Sequence, residues 1–93
     1  MSNRPMFALG QLVATPGALA KFEEAGQRPM EFLARHASVD WGQICAEDRR
    51  ANDVAIAEGT RLLSAYQLDT GVKIWIITEA DRSATTILLP EEY

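Results

Sequence analysis

Two short polar reversals in the last third of the chain constrain its fold more than any other feature. Asp69-Thr70-Gly71 and Ala80-Asp81-Arg82-Ser83 separate three runs that read as strands. In residues 60–67, Leu63, Ala65 and Gln67 alternate with Leu62, Ser64 and Tyr66. Val72-Lys73-Ile74-Trp75-Ile76-Ile77-Thr78 is rich in β-branched and aromatic side chains. Residues 85–89 form the third run, ended by Pro90, which cannot donate to a ladder. A parallel pair needs a crossover of roughly a dozen residues or more, so reversals this short force antiparallel pairing. The result is a three-strand antiparallel meander.

The upstream pattern predicts one strand and two to three short helices. Residues 7–14 can be a strand with Phe7, Leu9 and Val13 on one face, weakened by Gly10. Thr15 then caps a helix of about ten residues that has Pro16 at its first position. Ala18, Leu19 and Phe22 supply its apolar stripe, and Gly26 stops it. Pro29 opens a second helix with Met30, Phe32, Leu33 and Ala37 on its buried side. Residues 38–42 break the period, with Asp40 or a neighbour available to cap the next segment. A third helix over residues 44–57 turns Ile44, Ala51, Val54 and Ala55 inward and its charges to water; Gly59 ends it. The expected class is α+β: an N-terminal strand, the helices, then the meander, forming a three- to four-strand sheet with helices on one face. In the middle strand Val72, Ile74 and Ile76 oppose Trp75 and Ile77. Both faces are therefore apolar, and the second is either covered, for example by the N-terminal segment, or a contact surface.

With 93 residues, one domain spanning 1–93 with one core is expected. Thirteen acidic side chains against nine basic ones give a net charge of −4, and no basic cluster exceeds Arg49-Arg50. Phosphate contacts need a Lys/Arg stripe, so the balance argues against nucleic acid and for a protein partner. Met1-Ser2-Asn3-Arg4-Pro5 does not read as a leader, and no apolar run reaches the roughly 20 residues of a membrane span. Cys45 is the single cysteine and cannot form an internal disulfide, which fits a reducing cytoplasm.

Several stretches carry a resemblance. Gly59-x-Arg61-Leu62-Leu63-Ser64-Ala65-Tyr66 is followed by Trp75-x-Ile77-Thr78-Glu79-Ala80-Asp81-Arg82-Ser83-x-Thr85-Thr86-x-Leu88-Leu89-Pro90-x-Glu92-Tyr93. Upstream stand Leu9-Gly10-Gln11-x-Val13-Ala14-Thr15-Pro16-Gly17-Ala18-Leu19 and His36-x-x-x-Asp40-Trp41-Gly42. Together they resemble a family of small bacterial proteins commonly carried on plasmids and integrative conjugative elements, often labelled plasmid-related protein or type I restriction subunit. The resemblance implies a mobile-element setting rather than a reaction. The chain is too short for a restriction methyltransferase subunit and has no glycine fingerprint for a nucleotide or methyl donor.

Candidate sites are few. His36 and Asp40 stand i, i+4, but a metal needs three or four ligands and neither Cys45 nor a second histidine completes a pattern, so no metal and no cofactor are expected. The structural alternative has His36 donating to a carboxylate or carbonyl near a helix end while Asp40 caps. Glu79, Asp81, Arg82 and Ser83 concentrate acid, base and hydroxyl at the second reversal. Glu79 or Asp81 could serve as general base and Arg82 could hold an anion. Alternatively, Asp81 and Ser83 brace the turn while Arg82 pairs with a carboxylate. Trp41 and Trp75 read as core or interface anchors. Ser64 has no histidine near it in sequence, so a nucleophile system would have to use His36. The readings carried forward are a non-enzymatic binding protein of a mobile element, directed at another protein such as a host-defence component, and a small hydrolase or nuclease-like enzyme using His36 with Glu79 or Asp81. A homodimer through the sheet face or an edge strand is the third.

Overall fold

The computed structural model describes residues 6–93; the segment Met1-Ser2-Asn3-Arg4-Pro5 lies outside them. In chain order come strand β1 (Gln11–Ala14), helices α1 (Pro16–Ala25), α2 (Pro29–Ala37) and α3 (Ala46–Glu58), strands β2 (Leu62–Gln67), β3 (Lys73–Thr78) and β4 (Ala84–Leu88), and a 3-10 turn at Pro90–Glu92. The meander is antiparallel, as its reversals require, and the sheet order is β1-β4-β3-β2. β1 runs parallel to β4, with Gln11 opposite Ala84 and Ala14 opposite Ile87.

Register sorts the side chains. Leu62, Ser64 and Tyr66 share one face with Ile74, Ile76 and Thr78 and with Thr85 and Ile87. Ala18 and Phe22 of α1 and Phe32 and Leu33 of α2 pack there with Tyr66, Ile74, Ile76 and Ile87, forming the larger core cluster. A smaller cluster joins Trp41, Ala55 of α3 and Leu62, with Phe7, Val39, Ile44 and Ile56 against it. The helices thus cover one face of an α+β fold.

The caps follow elementary chemistry. Thr15 Oγ1 accepts from Ala18 N–H (3.1 Å) and donates to Glu92 Oε1 (2.7 Å), so one hydroxyl ends α1 and ties it to the C-terminal turn. Gly26 and Gly59 close α1 and α3 in the left-handed region, as expected of glycine at that position. α2 closes by the same hydrogen-bond pattern as α1, without a glycine. Asp40 N–H reaches Arg35 C=O (2.8 Å), Val39 N–H reaches His36 C=O (3.2 Å), and Val39 sits at φ 62. A β-branched residue there is strained.

Several sequence expectations are corrected. The first strand is shorter than residues 7–14, because Gly10 takes φ 65 and redirects the chain. Phe7 packs on His36 and Trp41 rather than joining a strand face with Leu9 and Val13. α3 starts at Ala46, capped by Cys45 rather than Asp40, and buries Asn52 and Ala55 while Val54 stays 52% exposed. Leu19 and Met30 are also exposed. The inward stripes of α2 and α3 each contain a polar residue, His36 and Asn52, which apolar counting leaves out. The second sheet face is overlaid in part by the C-terminal segment, where Tyr93 meets Trp75 edge-on at 5.8 Å, while Phe7, of the described N-terminal residues, packs on His36 and Trp41 instead.

Asn52 shows what such a residue does. Its side chain is 3% exposed, donates to Leu63 C=O (2.6 Å) and accepts from Leu63 N–H (3.1 Å), standing in for a neighbouring strand at the β2 edge. The backbone at Trp41 and Gln43 continues the closure by bonding both polar groups of Ala65. Gly42 between them takes φ 73, and a Cβ there would strike the Ala65 carbonyl. Asn52→Ala should therefore cost roughly 2–3 kcal/mol, since it strands two backbone groups, read as a lower urea midpoint at unchanged m-value.

Candidate functional site

The eight candidate residues do not gather in one cleft. His36 is fully buried (0% exposed), with Phe7 edge-on at 5.3 Å and Trp41 at 5.6 Å. Its Nδ1 bonds Ser64 Oγ and its Nε2 bonds Thr78 Oγ1 at 2.8 Å. Thr78 in turn bonds Thr85 (2.8 Å), and Thr85 donates to Leu9 C=O (2.7 Å). A carbonyl can only accept, and that fixes every proton in the chain. Thr85 spends its hydrogen on Leu9, so Thr78 donates to Thr85. His36 Nε2–H then donates to Thr78, and Ser64 donates to Nδ1. This tautomer is inferred from the network.

Ser64 is thus the histidine partner that sequence separation concealed, and the expected carboxylate or carbonyl partner of His36 is replaced by two hydroxyls. The pairing has the groups of a nucleophile and base, but Ser64 is also 0% exposed, so no substrate atom reaches its oxygen. Burial alone pushes His36 down from 6.5 to about 4, and the imidazole is neutral at pH 7. No hydrogen bond joins His36 to Glu79 or Asp81 among the described residues, and both carboxylates face solvent. That constellation is not assembled.

Asp40 sits on the surface. Its carboxylate binds Arg35 Nε at 2.7 Å and accepts from Gly42 N–H at 3.3 Å. The Arg35 hydrogen bond holds Asp40 below the usual carboxylate range and raises Arg35 in turn. Arg35 also lies 4.7 Å over the Tyr66 ring, whose hydroxyl donates to Asp40 C=O (2.6 Å). Burial raises the Tyr66 hydroxyl to about 12. Trp41 is buried, with its N–H 3.4 Å from Asp53.

At the second reversal the structural reading holds for Asp81 and Ser83 and changes for Arg82. Asp81 accepts from Ser83 N–H (2.9 Å), and its bonds to Ser83 hold the carboxyl low. Arg82 pairs with no carboxylate among the described residues. Its Nη1 donates to the carbonyls of Thr60 (2.6 Å), Glu79 (3.1 Å) and Ala80 (3.3 Å), and its Nη2 to Ala55 (3.0 Å). The guanidinium therefore neutralises the negative end of α3 and knots the turn to it. Both of its terminal nitrogens are thereby engaged with backbone carbonyls, which is a structural role.

Trp75 lies on the opposite face, partly exposed. It lines a cleft of about 220 Å³ with Ile44, Leu63, Ala65 and Tyr66, rimmed by Gln43, Cys45, Asp48 and Lys73. Beside it Arg61 lies 5.3 Å over the Tyr93 ring and bonds its hydroxyl. Residues 43–48 carry no site signal of their own in the sequence; the strongest pointer is the aromatic residue at position 75 on a second apolar strand face. No cluster of three or more potential metal-ligating side chains occurs among the described residues. Comparison with protein-family models, curated proteins and solved structures found no match to this chain.

The buried imidazole makes stability depend on pH. Below pH 6.5 the unfolded chain binds a proton that the folded chain refuses until about 4, so stability falls as pH drops through that window, by up to about 3 kcal/mol. Urea unfolding at several pH values should show this slope, and the single imidazole should titrate near 4 by NMR. His36→Leu should flatten the slope even though it destabilises at pH 7. Arg82→Ala should cost about 2–3 kcal/mol by losing charged hydrogen bonds to carbonyls, with Arg82→Lys recovering only part.

Proposed function

We propose that this chain is a non-enzymatic accessory protein that docks on another protein through the outer face of its sheet. The observation that carries the reading is the Trp75 cleft, where a large aromatic side chain remains partly open beside a residue-sized hollow. At about 220 Å³ the hollow is smaller than the 300–1,000 Å³ typical of small-molecule sites and suits one apolar side chain of a partner. Lys73 and Asp48, also lining it, offer opposite charges to polar groups of the partner beside that anchor. The net charge of −4 disfavours a nucleic-acid partner. No helix among the described residues is long and apolar enough to cross a membrane. The family resemblance supports a plasmid or integrative conjugative element as the setting and, by association with it, a component of a host defence system as the partner; the single cysteine fits a reducing cytoplasm.

Affinity capture from a bacterial host, quantified by mass spectrometry, tests this. The intact chain should retain one protein stoichiometrically, and Trp75→Ala should weaken capture by about tenfold or more, as loss of an interface anchor does. Retention of the same protein at full strength by both Trp75→Ala and Tyr93→Ala, or capture of none, defeats the proposal.

A further inference from the structure

The two edges of the sheet are treated differently. The β2 edge is sealed by Asn52 and the backbone around Gly42. Among the described residues, β1 has no strand on its outer side. Toward β4, Gln11 N–H donates to Ser83 C=O (2.9 Å) and Thr15 N–H to Ile87 C=O (3.0 Å). The parallel ladder therefore uses alternate residues, and the N–H and C=O of Leu12 and Ala14 point outward. Natural edges are blunted by shortness, lysine, proline, bulges or inward charges. Gln11-Leu12-Val13-Ala14 is short but carries no charge, proline or bulge, and Leu12 and Val13 are 47% and 42% exposed.

We propose that β1 pairs antiparallel with β1 of a second copy, joining two four-strand sheets into one. The outward groups admit a single register. Val13 lies opposite Val13 of the second copy on the two-fold axis, and Leu12 and Ala14 exchange both hydrogen bonds with Ala14 and Leu12 across it. Centring on Leu12 would need Gly10 extended, but it sits at φ 65. Centring on Ala14 would need Pro16, which has no N–H. Charge also permits a second copy at this edge. Copies carrying −4 repel, yet residues 5–20, between Arg4 and Lys21, are the longest uncharged stretch of the chain, and β1 lies within it. A four-residue strand buries less than the roughly 1,200 Å² of a stable interface, so the pairing is reversible and concentration-dependent.

Sedimentation velocity from micromolar to millimolar concentration is the test. The mass should rise from 10.3 kDa toward twice that value, and Val13→Lys, which sets two cations on the axis, should hold it at the monomer with an unchanged circular dichroism spectrum. In a Cys45→Ser background, mild oxidation should cross-link Val13→Cys and leave Leu12→Cys monomeric, because only the former residue meets itself. A constant monomer mass overturns the proposal, as does doubling that survives Val13→Lys. If Val13→Lys does not fold, absence of the Val13→Cys cross-link overturns it instead. Trp75→Ala should leave the doubling intact, which separates this result from the fate of the proposed docking face.

Discussion

The buried imidazole of His36 is the joint on which the rest of the structure depends. A neutral imidazole brings one donor and one acceptor into the core, and each left unmet would cost on the order of 1–3 kcal/mol. Ser64 on β2 and Thr78 on β3 meet them, and Thr85 on β4 and the Leu9 carbonyl complete the chain. This one network sets the rotation of α2 and the relative positions of three strands, and it fixes the point where the N-terminal segment touches down. A one-residue slip of β3 would send Thr78 to the other face and orphan the histidine. The polar core therefore penalises wrong registers that an all-apolar core would tolerate.

Asn52 and Arg82 extend the same logic to the ends and edges of elements. Backbone groups at a sheet edge or a helix C-terminus need partners, and here side chains supply them from a distance in sequence. Arg82 reaches the Ala55 carbonyl, and Asn52 reaches Leu63. The two are complementary: one ties the second reversal to the end of α3, and the other ties the middle of α3 to β2. The residues with the most chemistry are consumed as fasteners. Every buried side-chain nitrogen and oxygen among the described residues has a partner.

The meander is legible in the sequence because its signals are local: alternating runs and reversals too short for a crossover. Thr15-Pro16 and the closing glycines at Gly26 and Gly59 are legible for the same reason, since caps are decided within a turn. The placement of β1 beside β4 is not, because it depends on contacts about seventy residues apart that leave no periodic trace. His36 and Asn52 escape as inward positions because polar residues are discounted in an apolar stripe, although a buried partner makes them as inward as leucine. For Arg82 the sequence suggests a carboxylate, the commoner partner, whereas the end of α3 offers a cluster of carbonyls. At the candidate site, Trp75 reads as outward from strand alternation alone. Its cleft does not, because Ile44, Cys45 and Asp48 reach it from the start of α3.

With the inner polar groups committed, the outer face and the free edge are the surfaces proposed for recognition, and their arrangement makes the two proposals compatible. β1 lies at one end of the sheet order, whereas the Trp75 cleft is built on β3 and β2 at the other. Pairing two copies at β1 would leave both clefts unobstructed. Val13 projects from the same face as Ile77 and Trp75, so a two-fold through paired Val13 side chains runs perpendicular to the sheet. Such an axis keeps both clefts on one side of the extended sheet. A partner with two matching anchors would then bind the second at an effective concentration set by the sheet itself, so a weak single contact becomes a firm double one. A small acidic domain with a modest hollow would gain grip in this way without enlarging either surface, and a reversible β1 contact would make that grip depend on how much of the protein is present.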